Sequence, residues 1–340
     1  MIIRSKAPLR IGFAGGGTDV SPYSDEYGGA ILNATINMYA YATIEPRDDN
    51  RIILRSIDQE RSFSIESVSK LPIDGTLNLL KGVYNRIVQD FTKKPLSFEL
   101  CTYVDAPAGS GLGTSSTLVV AILGAFVEWL RLPLGEYEIA HLAYEIERLD
   151  LGMAGGKQDQ YAATFGGYNY IEFYKDDKVI VNPLRIKQDS LNELEFNIVL
   201  YYSGTSRLSS RIIEAQANNV TQKNERSLEA MHKLKEQSVM MKEAVLKGEF
   251  DSIGNILNFG WKFKKQTASE VTNPIIDEIY ETALKAGATG GKISGAGGGG
   301  FMFFYCPKNS RYNVIDALKA LGGEFRRYHF TTNGMVTWRV

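Results

Sequence analysis

Asp105-Ala106-Pro107-Ala108-Gly109-Ser110-Gly111-Leu112-Gly113-Thr114-Ser115-Ser116 places three glycines at alternate positions and ends on a run of hydroxyls. Gly109, Gly111 and Gly113 let the backbone turn sharply and allow a ligand close to the main chain. An apolar, helix-like stretch follows over residues 117–130. The loop therefore delivers unpaired N–H groups and the positive end of a helix dipole to whatever it holds. Phosphate is the natural occupant of such a cradle. Thr114, Ser115 and Ser116 add hydroxyls that can cap the helix, bond a phosphate oxygen or reach its magnesium ion. A plain Gly-rich turn with a Ser/Thr cap has the same composition, so this loop alone does not decide.

Three further segments carry candidate chemistry. The first is Ala7-Pro8-Leu9-Arg10-Ile11-Gly12-Phe13-Ala14-Gly15-Gly16-Gly17-Thr18-Asp19. In the second, Gly155-Gly156-Lys157-Gln158-Asp159-Gln160, Asp159 reads either as a helix cap or as a base. A hydroxyl attacking a phosphate must lose its proton, and a placed carboxylate can accept it. The third, Lys292-Ile293-Ser294-Gly295-Ala296-Gly297-Gly298-Gly299-Gly300-Phe301, contains a formal G-x-G-x-x-G. A dinucleotide fold needs a strand before that pattern and a helix after it. Here a helix is expected to end before it and the strand-like Phe301-Met302-Phe303-Phe304-Tyr305 follows, so the dinucleotide reading is rejected. Gly290-Gly291-Lys292-Ile293 also fails as a P-loop, because Ile293 stands where Ser or Thr must follow the lysine.

The elements that must position these residues are legible in outline. Alternation and β-branched content predict strands over 2–11, 38–45, 51–56, 61–67, 97–104, 168–173, 178–181, 196–202, 299–305, 324–330 and 336–340. Helical spacing predicts helices over 78–91, 136–149, 208–247, 251–264, 274–285 and 312–321, with Gly248 and Gly287 as stops. Pro183, Gln188, Asp189 and Asn192 interrupt the pattern, which divides the chain into domains 1–188 and 189–340.

The 340 residues are 44% apolar and 23% charged, with a formal net charge of −1. That suits soluble globular domains and supplies no overall basic field for nucleic acid or an anionic membrane. No run is long enough to span a bilayer and the start has no signal-peptide pattern, so a cytoplasmic protein is expected. Cys101 and Cys306 lack metal-ligand spacing and read as two buried free thiols. His141, His232 and His329 are too scattered for a zinc site or a histidine triad.

Pro107-x-Gly109-x-Gly111-Leu112-Gly113-Thr114-Ser115 resembles the central motif of the GHMP kinases, named after galactokinase, homoserine kinase, mevalonate kinase and phosphomevalonate kinase. The blocks at 7–19 and 292–301 stand where that family carries its other two motifs, so the resemblance covers almost the whole chain. It implies an α+β fold with a ribosomal-S5-like N-terminal domain and a ferredoxin-like C-terminal domain. By the same resemblance ATP lies along Pro107, Gly109, Ser110, Gly111, Leu112, Gly113, Thr114, Ser115 and Ser116. Ser116 and Glu147 hold Mg²⁺, Asp159 is the base, and Arg10 stabilises charge on the transferred phosphoryl group. The block at 292–301 closes against the active site.

The substrate set implied is Gly15, Gly16, Gly17, Thr18, Asp19, Lys157, Arg207 and Gly297. Asp19 suits vicinal hydroxyls by accepting two hydrogen bonds. The amides of the triple glycine, with Lys157 and Arg207, are candidates for an anion on the sugar. Galactokinases carry Glu-His just before Thr-Asp, where this chain has glycines, which argues against galactose. The triple glycine with Thr18-Asp19, together with Gly155-Gly156-Lys157-Gln158-Asp159-Gln160-Tyr161, looks most like the D-glycero-D-manno-heptose 7-phosphate kinases. Those enzymes phosphorylate the anomeric C1 hydroxyl on the route to nucleotide-activated heptose. Fucose kinases share a similar block; mevalonate kinase, and a sugar- and ATP-binding sensor without turnover, are the remaining alternatives. The partners expected are a small sugar and ATP, without nucleic acid or membrane, and a homodimer is the assembly allowed for.

Overall fold

Burial alternates along Arg51–Ser56, whereas along Ile3–Ala14 it is continuous from Ala7 onward, where apolar residues are interrupted only by Arg10. The first strand is half covered, and the second is buried on both faces over its last residues. The computed structural model describes residues 1–204 and 209–340. Its strands are β1 (Ile3–Ala14), β2 (Gly29–Pro46), β3 (Arg51–Ser56), β4 (Arg61–Glu66), β5 (Phe98–Val104), β6 (Tyr168–Phe173), β7 (Val179–Pro183), β8 (Ile198–Tyr202), β9 (Gly290–Ile293), β10 (Phe301–Tyr305), β11 (Glu324–Arg326) and β12 (Val336–Arg339). Among the described residues they form an eight-stranded sheet, β12-β1-β2-β5-β3-β4 with β6 and β7 continuing from β2, and a four-stranded sheet, β11-β8-β10-β9.

The 18-residue β2 organises the first sheet. Its early half pairs with β6, its late half with β5, and β1 runs antiparallel along most of it. Only 38–45 was expected. Residues 30–36 are buried throughout, so the early half shows no alternation for a sequence reading to find. Pro8 cannot donate to the ladder, and a register shift follows between Pro8 and Arg10. The helix Thr114–Leu130 crosses β1 and β2 with residues 116–126 buried on every side. At about 1.5–3 kcal/mol per buried Leu, Ile, Val or Phe, that packing fixes the helix N-terminus rigidly in place.

The second sheet has the strand order and antiparallel pairing of a ferredoxin-like fold. Period-two alternation divides its side chains. Ile198, Leu200, Phe301, Phe303 and Tyr305 join the core shared with the first sheet. Val199, Tyr201, Met302 and Phe304 pack under the helices Pro274–Lys285 and Ser310–Lys319.

Several expectations change. The helix foreseen over 208–247 is two helices, Ser209–Thr221 and Glu225–Lys247, the second capped by Asn224 accepting from the Ser227 amide at 3.0 Å. The boundary at 188/189 coincides with an unforeseen helix, Gln188–Asn197, leading into β8. β12 returns to pair with β1, so the last strand completes the first sheet and the first unit is not one contiguous stretch of chain. The strand expected over 324–330 ends at Arg326, and Phe330 bridges to Ile36 instead. Cys101 is only half-buried; Cys306 is fully so. No helix among the described residues is long and apolar enough to cross a membrane.

Candidate active site

Three glycine-rich segments, far apart in sequence, meet main chain to main chain. Gly113 ends the loop in the left-handed region (φ +80°) and no side chain among the described residues caps the helix Thr114–Leu130 behind it. The first-turn amides of that helix therefore face the cleft without a side-chain acceptor. Gly111 (φ +84°) passes so close to the block at 292–301 that a Cβ there would lie 2.1 Å from the Ser294 carbonyl oxygen. The Phe301 amide donates to the Ser110 carbonyl at 2.8 Å, and the Ser294 hydroxyl donates to the Gly111 carbonyl at 2.9 Å. The Arg10 amide donates to the Leu112 carbonyl at 3.2 Å, which ties the loop to β1 as well. Strand β9, not a helix, precedes this block and β10 follows it. The half of the dinucleotide pattern that is missing is thus the following helix, and its absence is enough to exclude that fold.

Arg10, beyond the register shift in β1, is buried and bridges all three segments. Its guanidinium meets the Asp159 Oδ1 at 2.6 and 2.7 Å and donates to the Gly111 carbonyl at 2.5 Å. Asp159 lies in the first turn of the helix Gln158–Phe165, and its carboxylate packs where a Gly113 side chain would be, 3.1 Å from that missing Cβ. A carboxylate, a guanidinium and the open end of a second helix converge at one point.

Beneath them Glu147 is fully buried, and burial raises its carboxyl above the usual range. The Gln160 amide donates to Glu147 Oε2 at 2.5 Å and to the Ser116 hydroxyl at 3.1 Å, placing the two expected metal ligands side by side. The other oxygen, Oε1, has no hydrogen-bond partner among the described residues, and the Arg148 guanidinium stands 3.7 Å away. Glu145, two residues before Glu147, is drawn instead toward Arg86 (3.4 Å) and His141 (3.5 Å).

The N-terminal glycine turn is built around Thr18 and Asp19. The Thr18 hydroxyl donates to the carbonyls of Gly15 and Ala30 and accepts from the Ala30 amide, so it braces the turn against β2. Gly15 makes that approach possible: a Cβ would fall 1.9 Å from the Ala30 carbonyl. Asp19 is 2% exposed and accepts from the Gln158 amide at 3.0 Å, so Asp19, not Asp159, serves the start of that helix. Burial raises the Asp19 carboxyl, with the Gln158 bond opposing. Gly16, Gly17 and Asp19 line the cleft.

Two other expected substrate residues are otherwise engaged, Lys157 in a smaller pocket that shares Asp19 and Arg148 with the cleft. Lys157 is engaged by Asp177 at 2.7 Å and Asp25 at 3.3 Å. Gly297 (φ +124°) is turned onto Val271, whose carbonyl oxygen would be 2.7 Å from a Cβ there. Arg207 lies outside the described residues.

The cleft between the sheets has a volume of about 730 Å³, and Arg148, Gln216, Lys264 and Lys292 are among the polar side chains lining it that were not foreseen as site residues. Lys264 and Lys292 are 2% and 4% exposed. Burial pulls the Lys264 ammonium down to about 8, with Asp19 opposing. Burial, reinforced by repulsion from Lys264 and Arg10, pulls Lys292 down to about 7.

A glycine-rich loop at an open helix end, an arginine–aspartate pair and a two-domain α+β frame around one cleft define a class of small-molecule kinases. Residues 78–167 match the family model for the GHMP kinases N terminal domain, and residues 241–324 that for the GHMP kinases C terminal. The chain belongs to the GHMP kinases. It is 51% identical over 338 residues, 99% of both chains, to the D-glycero-alpha-D-manno-heptose 7-phosphate kinase of Campylobacter jejuni. The solved structure of a D-glycero-D-manno-heptose 1-phosphate kinase from Bacteroides thetaiotaomicron superposes with a TM-score of 0.85 at 49% identity, covering 99% of both chains. The Lactococcus lactis galactokinase complexed with galactose superposes at 0.79 with 20% identity, covering 98% of this chain and 95% of its own, a likeness of fold alone.

Proposed function

We propose that this protein transfers the γ-phosphoryl group of ATP to the anomeric C1 hydroxyl of D-glycero-D-manno-heptose 7-phosphate, giving the 1,7-bisphosphate in the cytoplasm. The observation that carries the transfer is the Arg10–Asp159 pair, 2.6 Å apart, set against Gly113 at the open helix end. The heptose rests on the 51% identity over the full chain. The relatives' names differ in where they put the substrate's phosphate, position 7 in one and position 1 in the other; only the 7-phosphate leaves the C1 hydroxyl free to be phosphorylated.

In this reading the ATP phosphates lie along Gly109, Gly111 and Gly113, taking hydrogen bonds from the first-turn amides of the helix Thr114–Leu130. Glu147 and Ser116 fit Mg²⁺, because a buried carboxylate oxygen that accepts no hydrogen bond among the described residues and an adjacent hydroxyl are hard donors of the kind it accepts. When bound, the ion supplies neutralisation of charge on the phosphates. Asp159 takes the C1 hydroxyl proton as the oxygen bonds to phosphorus and the bond from phosphorus to the leaving ADP oxygen breaks. Arg10 holds Asp159 and offers its positive charge to the moving phosphoryl group. Asp19 accepts from sugar hydroxyls.

ADP release with D-glycero-D-manno-heptose 7-phosphate, D-glycero-D-manno-heptose, L-fucose, D-galactose and mevalonate tests the reading. Turnover on the heptose phosphate, with a new C1 phosphate in the ³¹P spectrum, is expected. Turnover on another substrate alone would replace the heptose while leaving the kinase.

Asp19 gives a separate check. A Cβ on Gly156 would fall 1.9 Å from Asp19 Oδ2 and 2.4 Å from its Cγ, so Gly156→Ala must push the carboxylate aside. The sugar KM should rise roughly tenfold while the ATP KM holds, the sort of loss a small misplacement brings. An unchanged sugar KM would remove Asp19 from the sugar site.

A further inference from the structure

Lys264, from the helix Phe250–Thr267, and Lys292, from β9, reach the N-terminal glycine turn from the second domain. Lys264 Nζ donates to the Gly16 carbonyl at 3.1 Å and to Gln216 Oε1 at 3.4 Å. Lys292 Nζ donates to the Gly12 carbonyl at 2.7 Å. An ammonium has three donors, so both lysines keep protons with no acceptor among the described residues. Neither has a carboxylate at ion-pair distance there; Asp19 attracts Lys264 from farther off, and Arg10 repels Lys292. Two buried cations that repel each other and face a cleft form a site that is unbalanced until an anion enters it.

We infer that Lys264 and Lys292 together bind the phosphate monoester already carried by the sugar, and so select a phosphorylated substrate. This rests on the sugar-phosphate reading above. The ATP phosphates have their own cradle, walled by Gly111 and Gly113; the lysines instead touch Gly12 and Gly16, on the segment that carries Asp19. Lys157, the lysine expected to meet this phosphate, is already balanced by Asp177 and Asp25. A dianion between Lys264 and Lys292 would relieve both the repulsion and the burial penalty that hold their protons loosely.

The test is the ratio of kcat/KM for D-glycero-D-manno-heptose 7-phosphate to that for D-glycero-D-manno-heptose, in wild type, Lys264→Met and Lys292→Met. Each substitution should lower the ratio by roughly tenfold or more, through KM, as loss of a charged hydrogen bond predicts. Wild-type preference for the phosphate combined with an unchanged ratio in both variants would overturn the inference and leave the substrate reading standing. A wild type without that preference would overturn both. Should the variants not fold, inorganic phosphate decides with the wild-type enzyme. Inhibition competitive with the heptose phosphate is expected, and inhibition competitive with ATP alone would overturn the inference.

Discussion

Asp159→Asn is expected to lower kcat by about 10²–10⁴, or about 3–5 kcal/mol of barrier, with little change in either KM. The substitution is chosen because the amide keeps the shape of the carboxylate. Its oxygen can still accept from the Arg10 Nε, now at 2.7 Å, and its bulk still fills the space beside Gly113. What it cannot do is take a proton from an attacking hydroxyl. Arg10 also retains its 2.5 Å bond to the Gly111 carbonyl, so the phosphate loop keeps its anchor in the variant. The loss should therefore appear in single-turnover phosphoryl transfer, with ATP affinity measured by titration unchanged. A kcat within fivefold of wild type would assign Asp159 to the positioning of Arg10 and leave the reaction without this base. Turnover by the wild type, lost in a variant that still binds ATP, would separate the enzyme from a sensor of the same fold, since a sensor has no turnover to lose.

Much of this site was legible because glycines mark places where main chains touch. Gly111 and Gly300 have positive φ and lie against the backbone of another segment, so the blocks were recognisable as separate motifs before their contact was known. The contact itself, like the pairing of β12 with β1, joins residues at opposite ends of the chain and leaves no local periodicity. Lys264 was missed for a different reason. It lies among Lys262 and Lys265, a cluster of the kind that usually forms a solvated face. Its spacing from Leu257, Gly260 and Trp261, all buried, in fact puts it on the inner stripe of the helix. A lysine in an apolar stripe was the available signal. Lys292 was weighed only as part of a failed P-loop, a test that asks about its neighbours and not about its own burial. The break at 222–224 carries neither Gly nor Pro; Lys223 adopts the left-handed turn (φ +53°), which composition does not announce.

Gly111→Ala should be the most damaging change available in the loop, short of removing it. Two costs combine. At φ +84° an alanine is strained by about 1–2 kcal/mol. Its Cβ would also meet the Ser294 carbonyl oxygen at 2.1 Å and the carbon at 3.0 Å, and both are backbone atoms of a strand-anchored segment that cannot rotate away. The loop and the block must therefore part, loosening the Arg10 and Ser294 bonds to the Gly111 carbonyl and the Phe301 bond to Ser110. Since a displacement near 1 Å costs on the order of 10² in rate, kcat/KM for ATP is expected to fall by about that factor or more. Gly75→Ala separates the two costs. Gly75 also has positive φ (+94°), is exposed, and has nothing within 4 Å of a Cβ, so it carries the strain without the collision. That control should lose about 1 kcal/mol of stability in a denaturant melt and no activity. If Gly111→Ala kept the wild-type kcat/KM for ATP, the contact between the two glycine segments would not be what holds the phosphate loop, and the helix packing behind it would have to suffice alone.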